Sequence, residues 1–348
     1  MPARDPRFAN RLIPSDETEV EGMQILYADR SESYGVRYAN DVVYANRSGV
    51  DLHLQMFYPG LLFPNIPNGL FRRKMEDMMK QMGRGGRPPM VNRPRTDDLP
   101  PSKYTPIPSV NAQKRFPCVL FIKGSGWMKQ DCYVELPMLI DIARAGFVVA
   151  AVEYRPAYLE PFPGFVSDVK AAIRFLRANC DDFDIDPNRI AILGDSSGGH
   201  TSLMIGSSGW FRDWDDGEYQ DVSSEVQACV AWYGVADFNR FGPDNPADYR
   251  PELLPMIMGK EAAAKPGAAD VISPITYIKE ENEYPPFLLM HGDRDVTVPF
   301  EQSVIMYNKL RECGKRAELW KVRGANHGQY FWTKEVIQTT INFLKAYV

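Results

Sequence analysis

The sequence predicts an α/β protein with a mostly parallel, eight-stranded sheet, helices on both faces and cap or lid insertions. Three observations carry this. Eight short apolar runs have strand composition, helical patterns separate most of the later ones, and 348 residues suffice for one large α/β domain, expected to span 1–348. Strand–helix alternation implies parallel strands with right-handed crossovers and helices on either side.

Residues 36–46 (VRYANDVVYAN) and 50–58 (VDLHLQMFY) read as two strands joined at Ser48-Gly49, a hairpin signal. The next runs are 117–122, 147–153, 190–193, 226–232, 287–290 and 317–322. Helical patterns cover 134–145, 165–179, 198–207, 301–313 and 334–346. Val166, Val169, Ile173 and Leu176, for example, recur at helical spacing.

Two stretches interrupt the alternation and are too long for simple connections. Residues 59–117 hold 11 of the 28 prolines and, between Arg72 and Arg95, eight Lys/Arg against two acids. Within them Met75, Met78, Met79 and Met82 fall on one helical face. Because this insertion precedes the third strand, a lid over the site is the expectation drawn from it. Residues 234–286 form the second insertion. The acidic stretch 213–225 departs from an EF-hand loop in glycine position and terminal glutamate, and reads as a solvated loop.

A net charge of −5 argues against nucleic acid as the main partner. The apolar runs are too short to span a bilayer, and the N-terminus lacks the apolar core of a signal peptide. Five scattered cysteines without a CxxC pair fit reduced thiols and a cytoplasmic setting better than a disulfide framework. No metal or cofactor is expected, and homo-oligomer formation is left open.

The sharpest signal is IAILGDSSGGH at 190–200, in which Gly194-Asp195-Ser196-Ser197-Gly198 fits G-x-S-x-G at a strand-to-helix junction. A serine on such a turn takes strained backbone angles and needs small neighbours two residues away, which lifts Oγ above the sheet. Ser196 is the expected nucleophile. The N–H of Ser197, at a helix N-terminus, is an expected oxyanion donor.

Four histidines compete for the base. His53 lies in an early strand, far from any catalytic edge. His200 sits down the helix from Ser196, and His291 closes a strand. His327, in the small-residue loop GANHG, is favoured, and the order serine, acid, histidine fits. HGDRDVTVP supplies Asp293 and Asp295. The later residue is better placed to reach the imidazole and is favoured as the acid, whereas Asp293 suits turn capping. The third strand runs into Lys123-Gly124-Ser125-Gly126-Trp127. Gly124, Ser125 and Gly126 are expected to line the oxyanion hole with Ser197. Trp127 is a candidate substrate-binding residue, with a packed core tryptophan as the alternative.

Four blocks, KGSGW, EYRPAYLEPFPGFVSDVKAAIRFL, DPNRIAILGDSSGGH and PPFLLMHGDRDVTVP with GANHG, together resemble the esterase branch of the α/β hydrolases. The nearest likenesses are hormone-sensitive-lipase-like carboxylesterases and the bacterial feruloyl and acetylxylan esterase group. The blocks span about residues 115–347. The resemblance implies catalytic roles for Ser196, Asp295 and His327. It also implies a small-molecule or carbohydrate ester substrate, for which acetyl and hydroxycinnamoyl esters of plant polysaccharides are the expectation. A peptidase or formamidase-like amidase, or a non-catalytic binding protein on the same scaffold, are the alternatives. The chain departs from the family at the oxyanion loop, where Lys123-Gly124-Ser125-Gly126 stands for the usual His-Gly-Gly-Gly. The backbone donors survive that change, but the loop must be anchored differently.

Overall fold

The computed structural model describes residues 35–47, 49–60, 115–241 and 252–348. Eight strands form one sheet: β1 Gly35–Arg47, β2 Val50–Gly60, β3 Phe116–Ile122, β4 Val148–Val152, β5 Ile185–Asp195, β6 Ala228–Trp232, β7 Phe287–Gly292 and β8 Ala317–Val322. Their spatial order is β1-β2-β4-β3-β5-β6-β7-β8. β1 and β2 form an antiparallel hairpin, β2 joins β4 antiparallel, and every later pairing is parallel.

Strand alternation builds two cores. Cys118, Leu120 and Ile122 of β3, with Ile190 and Ile192 of β5, face one side. There α2 (Gly164–Ala178), α3 (Ser197–Ser208) and α7 (Glu301–Glu312) cover them. Val119 and Phe121, with Ala191 and Leu193, face the other side. That side is covered by α1 (Leu136–Arg144) and α8 (Lys334–Tyr347), which bury Leu139, Ile142, Val336 and Ile341.

Among its described residues, the excursion between β6 and β7 carries three short helices, α4 Leu253–Met258, α5 Lys260–Ala263 and α6 Ala268–Ile272, and two 3₁₀ turns. Ile257, Ile272 and Ile278 anchor it in the main core. The acidic stretch 213–225 proves less solvated than its composition suggests. Asp215 is buried against Lys170 at 2.8 Å, Arg174 at 3.0 Å and Arg212 at 2.7 Å, because the two basic residues that α2 buries need an anion.

The methionine stripe Met75, Met78, Met79 and Met82 and the basic run lie outside the described residues. The flanks of that insertion bear on the lid expectation. β2 runs antiparallel to β4, pairing Phe57 with Val149, so its end at Gly60 points to the N-terminal edge of the parallel strands. β3 also starts from that edge. The chain therefore leaves and re-enters opposite the end of β3 that carries Lys123, and proximity of the insertion to that end does not follow from its place in sequence.

Candidate active site

Four loops meet at the C-terminal edge of the parallel strands, following β3, β5, β7 and β8. This is the edge at which open α/β sheets carry their sites. Ser196 sits between β5 and α3 with φ 54° and ψ −122°, a conformation that L residues rarely adopt and that a tight turn imposes. The turn closes because position 198 has no side chain: a Cβ there would collide with the carbonyl oxygen of Ile122. Gly124 is held as closely, since its Cβ would lie 2.7 Å from that of Ser196.

The structure brings Ser196, His327 and Asp295 into one hydrogen-bonded line. His327 Nε2 lies 2.7 Å from Ser196 Oγ, and Nδ1 lies 2.7 Å from Asp295 Oδ2. Asp295 Oδ1 accepts the N–H groups of Thr297 at 2.8 Å and Val298 at 2.9 Å. Burial works against ionisation of this carboxyl, but hydrogen bonds from His291, His327 and Val298 outweigh it and hold the pKa well below the usual carboxylate range. Asp293 serves elsewhere: its Oδ1 accepts the Gly324 N–H at 2.7 Å and ties down the turn after β8.

The other histidines are committed. His200 is fully buried. Its Nδ1 accepts the Trp127 indole N–H at 3.1 Å, so Nε2 carries the proton donated to the Ile272 carbonyl at 2.8 Å. Burial pushes its pKa down to about 4. His53 pairs with Glu153 at 2.8 Å. Contrary to expectation it lies near the C-terminal edge of the sheet, because β2 runs past the end of β4, but it bonds Glu153 rather than Ser196.

In the loop after β3, two of the amides expected to line an oxyanion hole already have acceptors. Gly124 N–H donates to Asp195 Oδ1 at 2.8 Å, and Ser125 N–H donates to Ser197 Oγ at 2.9 Å. Both residues flanking Ser196 thus hold this loop, and a substrate oxygen would have to share or displace the bond at Ser125. The amides of Gly126 and Ser197 have no acceptor among the described residues; the first N–H of a helix never has an intrahelical one. Trp127 does not line an open pocket. It is 5 % exposed, tied to His200, and packed against Phe238 with ring centroids 5.8 Å apart. Its neighbour Met128 is exposed instead, as are Val296 and Tyr330 on the acid and histidine loops.

Around these residues, His291, Tyr233 and Lys123 make contacts that the sequence did not assign. His291 Nε2 donates to the Val298 carbonyl at 2.9 Å and also lies 3.3 Å from Asp295 Oδ2. Tyr233, just past β6, stacks edge-on against His327 with centroids 4.8 Å apart, while its hydroxyl meets Asp195 at 3.3 Å. Lys123 reaches Glu135 at 2.9 Å and Asp195 at 3.5 Å. For His291 the available signal is its spacing of four residues from Asp295; the other two arise from long-range contacts that spacing does not register.

Sheet order and loop placement define the α/β-hydrolase fold. Within it the chain belongs to the BD-FAE family, which it matches over residues 106–310. Among curated relatives, esterase LipQ of Mycobacterium tuberculosis is 26% identical over 308 residues, covering 84% of this chain and 65% of that protein. Esterase LipC of the same organism is 30% identical over 222 residues, covering 62% and 53%. Isoprenylcysteine alpha-carbonyl methylesterase ICME of Arabidopsis thaliana is 24% identical over 220 residues, covering 62% and 51%. The chain thus spans roughly half to two thirds of the length of these relatives. Among solved structures, a truncated carbohydrate esterase from gut microbiota superposes with a TM-score of 0.67 at 22% identity, covering 91% of this chain and 97% of that one. Thermogutta terrifontis esterase 2, phosphonylated by cyclosarin, superposes with a TM-score of 0.61 at 22% identity, covering 90% and 94%.

Proposed function

We propose that this chain is a serine carboxylesterase working through an acyl-enzyme. One observation carries the reading: the line from Asp295 through both ring nitrogens of His327 to Ser196, 2.7 Å at each step. An ionised Asp295 only accepts, so Nδ1 carries the imidazole proton and Nε2 accepts from the serine hydroxyl. Oγ then bonds to the ester carbonyl carbon, its proton passes to Nε2, and the carbonyl π pair becomes an oxyanion. The amides of Gly126 and Ser197 donate to that oxyanion, each such donor being worth about 3 kcal/mol in comparable sites. As the tetrahedral intermediate collapses, the imidazolium protonates the leaving alcohol. Water repeats the steps and releases the acid. The relatives named as esterases are in keeping with this chemistry.

For substrate we propose acetyl or hydroxycinnamoyl esters of plant polysaccharides, a direction given by the resemblance to feruloyl and acetylxylan esterases. Met128, Val296 and Tyr330, exposed on three of the four site loops, offer apolar surface to such an acyl group. The test is a panel of p-nitrophenyl acyl esters with methyl ferulate and acetylated xylan. The reading expects turnover with a burst of one p-nitrophenolate per chain, absent in Ser196→Ala. A folded chain that turns over none of these esters would sink it.

A further inference from the structure

The oxyanion loop opens with a lysine whose charge the chemistry above does not use. The Lys123 ammonium lies 2.9 Å from Glu135 Oε1, at the N-terminal end of α1, and 3.5 Å from Asp195 Oδ2. Asp195 is buried beside Ser196, and its other oxygen accepts the Gly124 N–H at 2.8 Å. The Tyr233 hydroxyl meets Asp195 Oδ2 at 3.3 Å and accepts the Trp332 indole N–H at 3.0 Å. One carboxylate thus joins the oxyanion loop, the nucleophile turn and, through Tyr233, the ring packed on His327. Lys123 is the only cation among the described residues that contacts it.

We propose that Lys123 is a positioning residue for ester hydrolysis. Clamped by Glu135, its ammonium fixes the Asp195 carboxylate, and through the Gly124 N–H it sets the distance from the oxyanion loop to Ser196 Oγ. The assignment rests on the proposed serine chemistry. Burial disfavours the ammonium, but Asp195 and Glu135 outweigh burial and raise its pKa, so the charge persists throughout the neutral range. Without that charge two acidic side chains face each other across a half-buried space. Asp195 then keeps the Gly124 N–H and the Tyr233 hydroxyl but loses its cation, and the loop gains freedom to drift from a geometry that tolerates little error.

The test compares the full wild-type chain with Lys123→Met, Lys123→Arg and Glu135→Ala. p-Nitrophenyl acetate gives kcat and KM, a fluorophosphonate titration counts reactive Ser196, and an aryl trifluoromethyl ketone reports the oxyanion site. That ketone adds Ser196 Oγ to its carbonyl carbon, sends the hydroxyl proton to His327 and leaves an oxyanion in the hole. Lys123→Met is expected to lower kcat per titrated site about 100-fold with KM within about threefold, and to weaken the ketone by a comparable factor. Lys123→Arg, which keeps the charge, should recover to within about tenfold of wild type, and Glu135→Ala should cost about tenfold in kcat alone. If Lys123→Met does not fold, Glu135→Ala, at the other end of the clamp, decides. Unchanged kcat per site in Lys123→Met or Glu135→Ala, or a loss matched by lost titre with the ketone unaffected, overturns the assignment. A wild-type chain without a titratable serine overturns the proposed function and this assignment together.

Discussion

His291 Nε2 lies 3.3 Å from Asp295 Oδ2, the same carboxylate oxygen that His327 Nδ1 meets at 2.7 Å. Nε2 donates to the Val298 carbonyl, so it carries a proton, and Nδ1 is left to accept from the Ser303 hydroxyl at 2.7 Å. With two backbone N–H groups on Oδ1, the acid is held on both oxygens. His291→Gln should therefore lower kcat by about tenfold with KM little changed, a positioning effect smaller than loss of the acid itself. Steady-state kinetics on one p-nitrophenyl ester decide it, and wild-type kcat in the variant would assign His291 to packing alone.

Asp295→Asn should cost far more activity than Asp293→Asn, on the order of 10⁴-fold against a few-fold. The amide keeps the shape of the acid but loses the charge that stabilises the imidazolium. The Asp293 carboxylate instead accepts the Gly324 N–H. Comparing kcat/KM for the two variants checks this, and the reverse ranking would move the acid to Asp293.

Asp215→Ala should be among the most destabilising single changes in the chain. It strands Lys170 and Arg174, both fully buried, whose pKa values burial already pushes down. Removing one partner of a buried ion pair costs about 3–5 kcal/mol. Urea unfolding should give a loss of that size, and a change below about 1 kcal/mol would mean that water or a rearranged partner supplies the anion's role.

The His53–Glu153 pair makes stability depend on pH. The hydrogen bond to Glu153 raises the pKa of His53, against the opposing effect of burial. A group whose folded pKa lies above its unfolded value of about 6.5 contributes stability that is complete below that value and lost as pH rises through the folded pKa. His53→Gln should accordingly lower the midpoint of thermal unfolding at pH 5.5 and make little difference at pH 9. Equal losses at both would show that the ring acts through packing.

The sheet was legible because buried parallel strands leave apolar runs, and 117–122 and 226–232 mark β3 and β6 closely; the edge strand β8 also matches 317–322, although none of its residues is buried. β5 was legible only in its buried half. It begins at Ile185, pairing with Phe116, but the polar Asp186, Asn188 and Arg189 at its exposed start give no strand signal. The geometry of Ser196 follows from local turn chemistry, and a sequence exposes that directly. The oxyanion loop was less legible, because the fate of the Gly124 and Ser125 amides depends on side chains about 70 residues away, at Asp195 and Ser197. The burial of Trp127 likewise depends on His200 and Phe238, which only the folded chain assembles around it.

The proposed chemistry turns on Ser196 as the nucleophile, activated by His327. Treating the full chain with a fluorophosphonate and mapping the adduct by peptide mass spectrometry tests it most directly. One phosphonyl group per chain on Ser196 is expected, with activity lost in step with labelling and no adduct in folded Ser196→Ala or, at matched times, in His327→Ala. A folded wild-type chain that stays unlabelled, or an adduct on a residue other than Ser196, would contradict it.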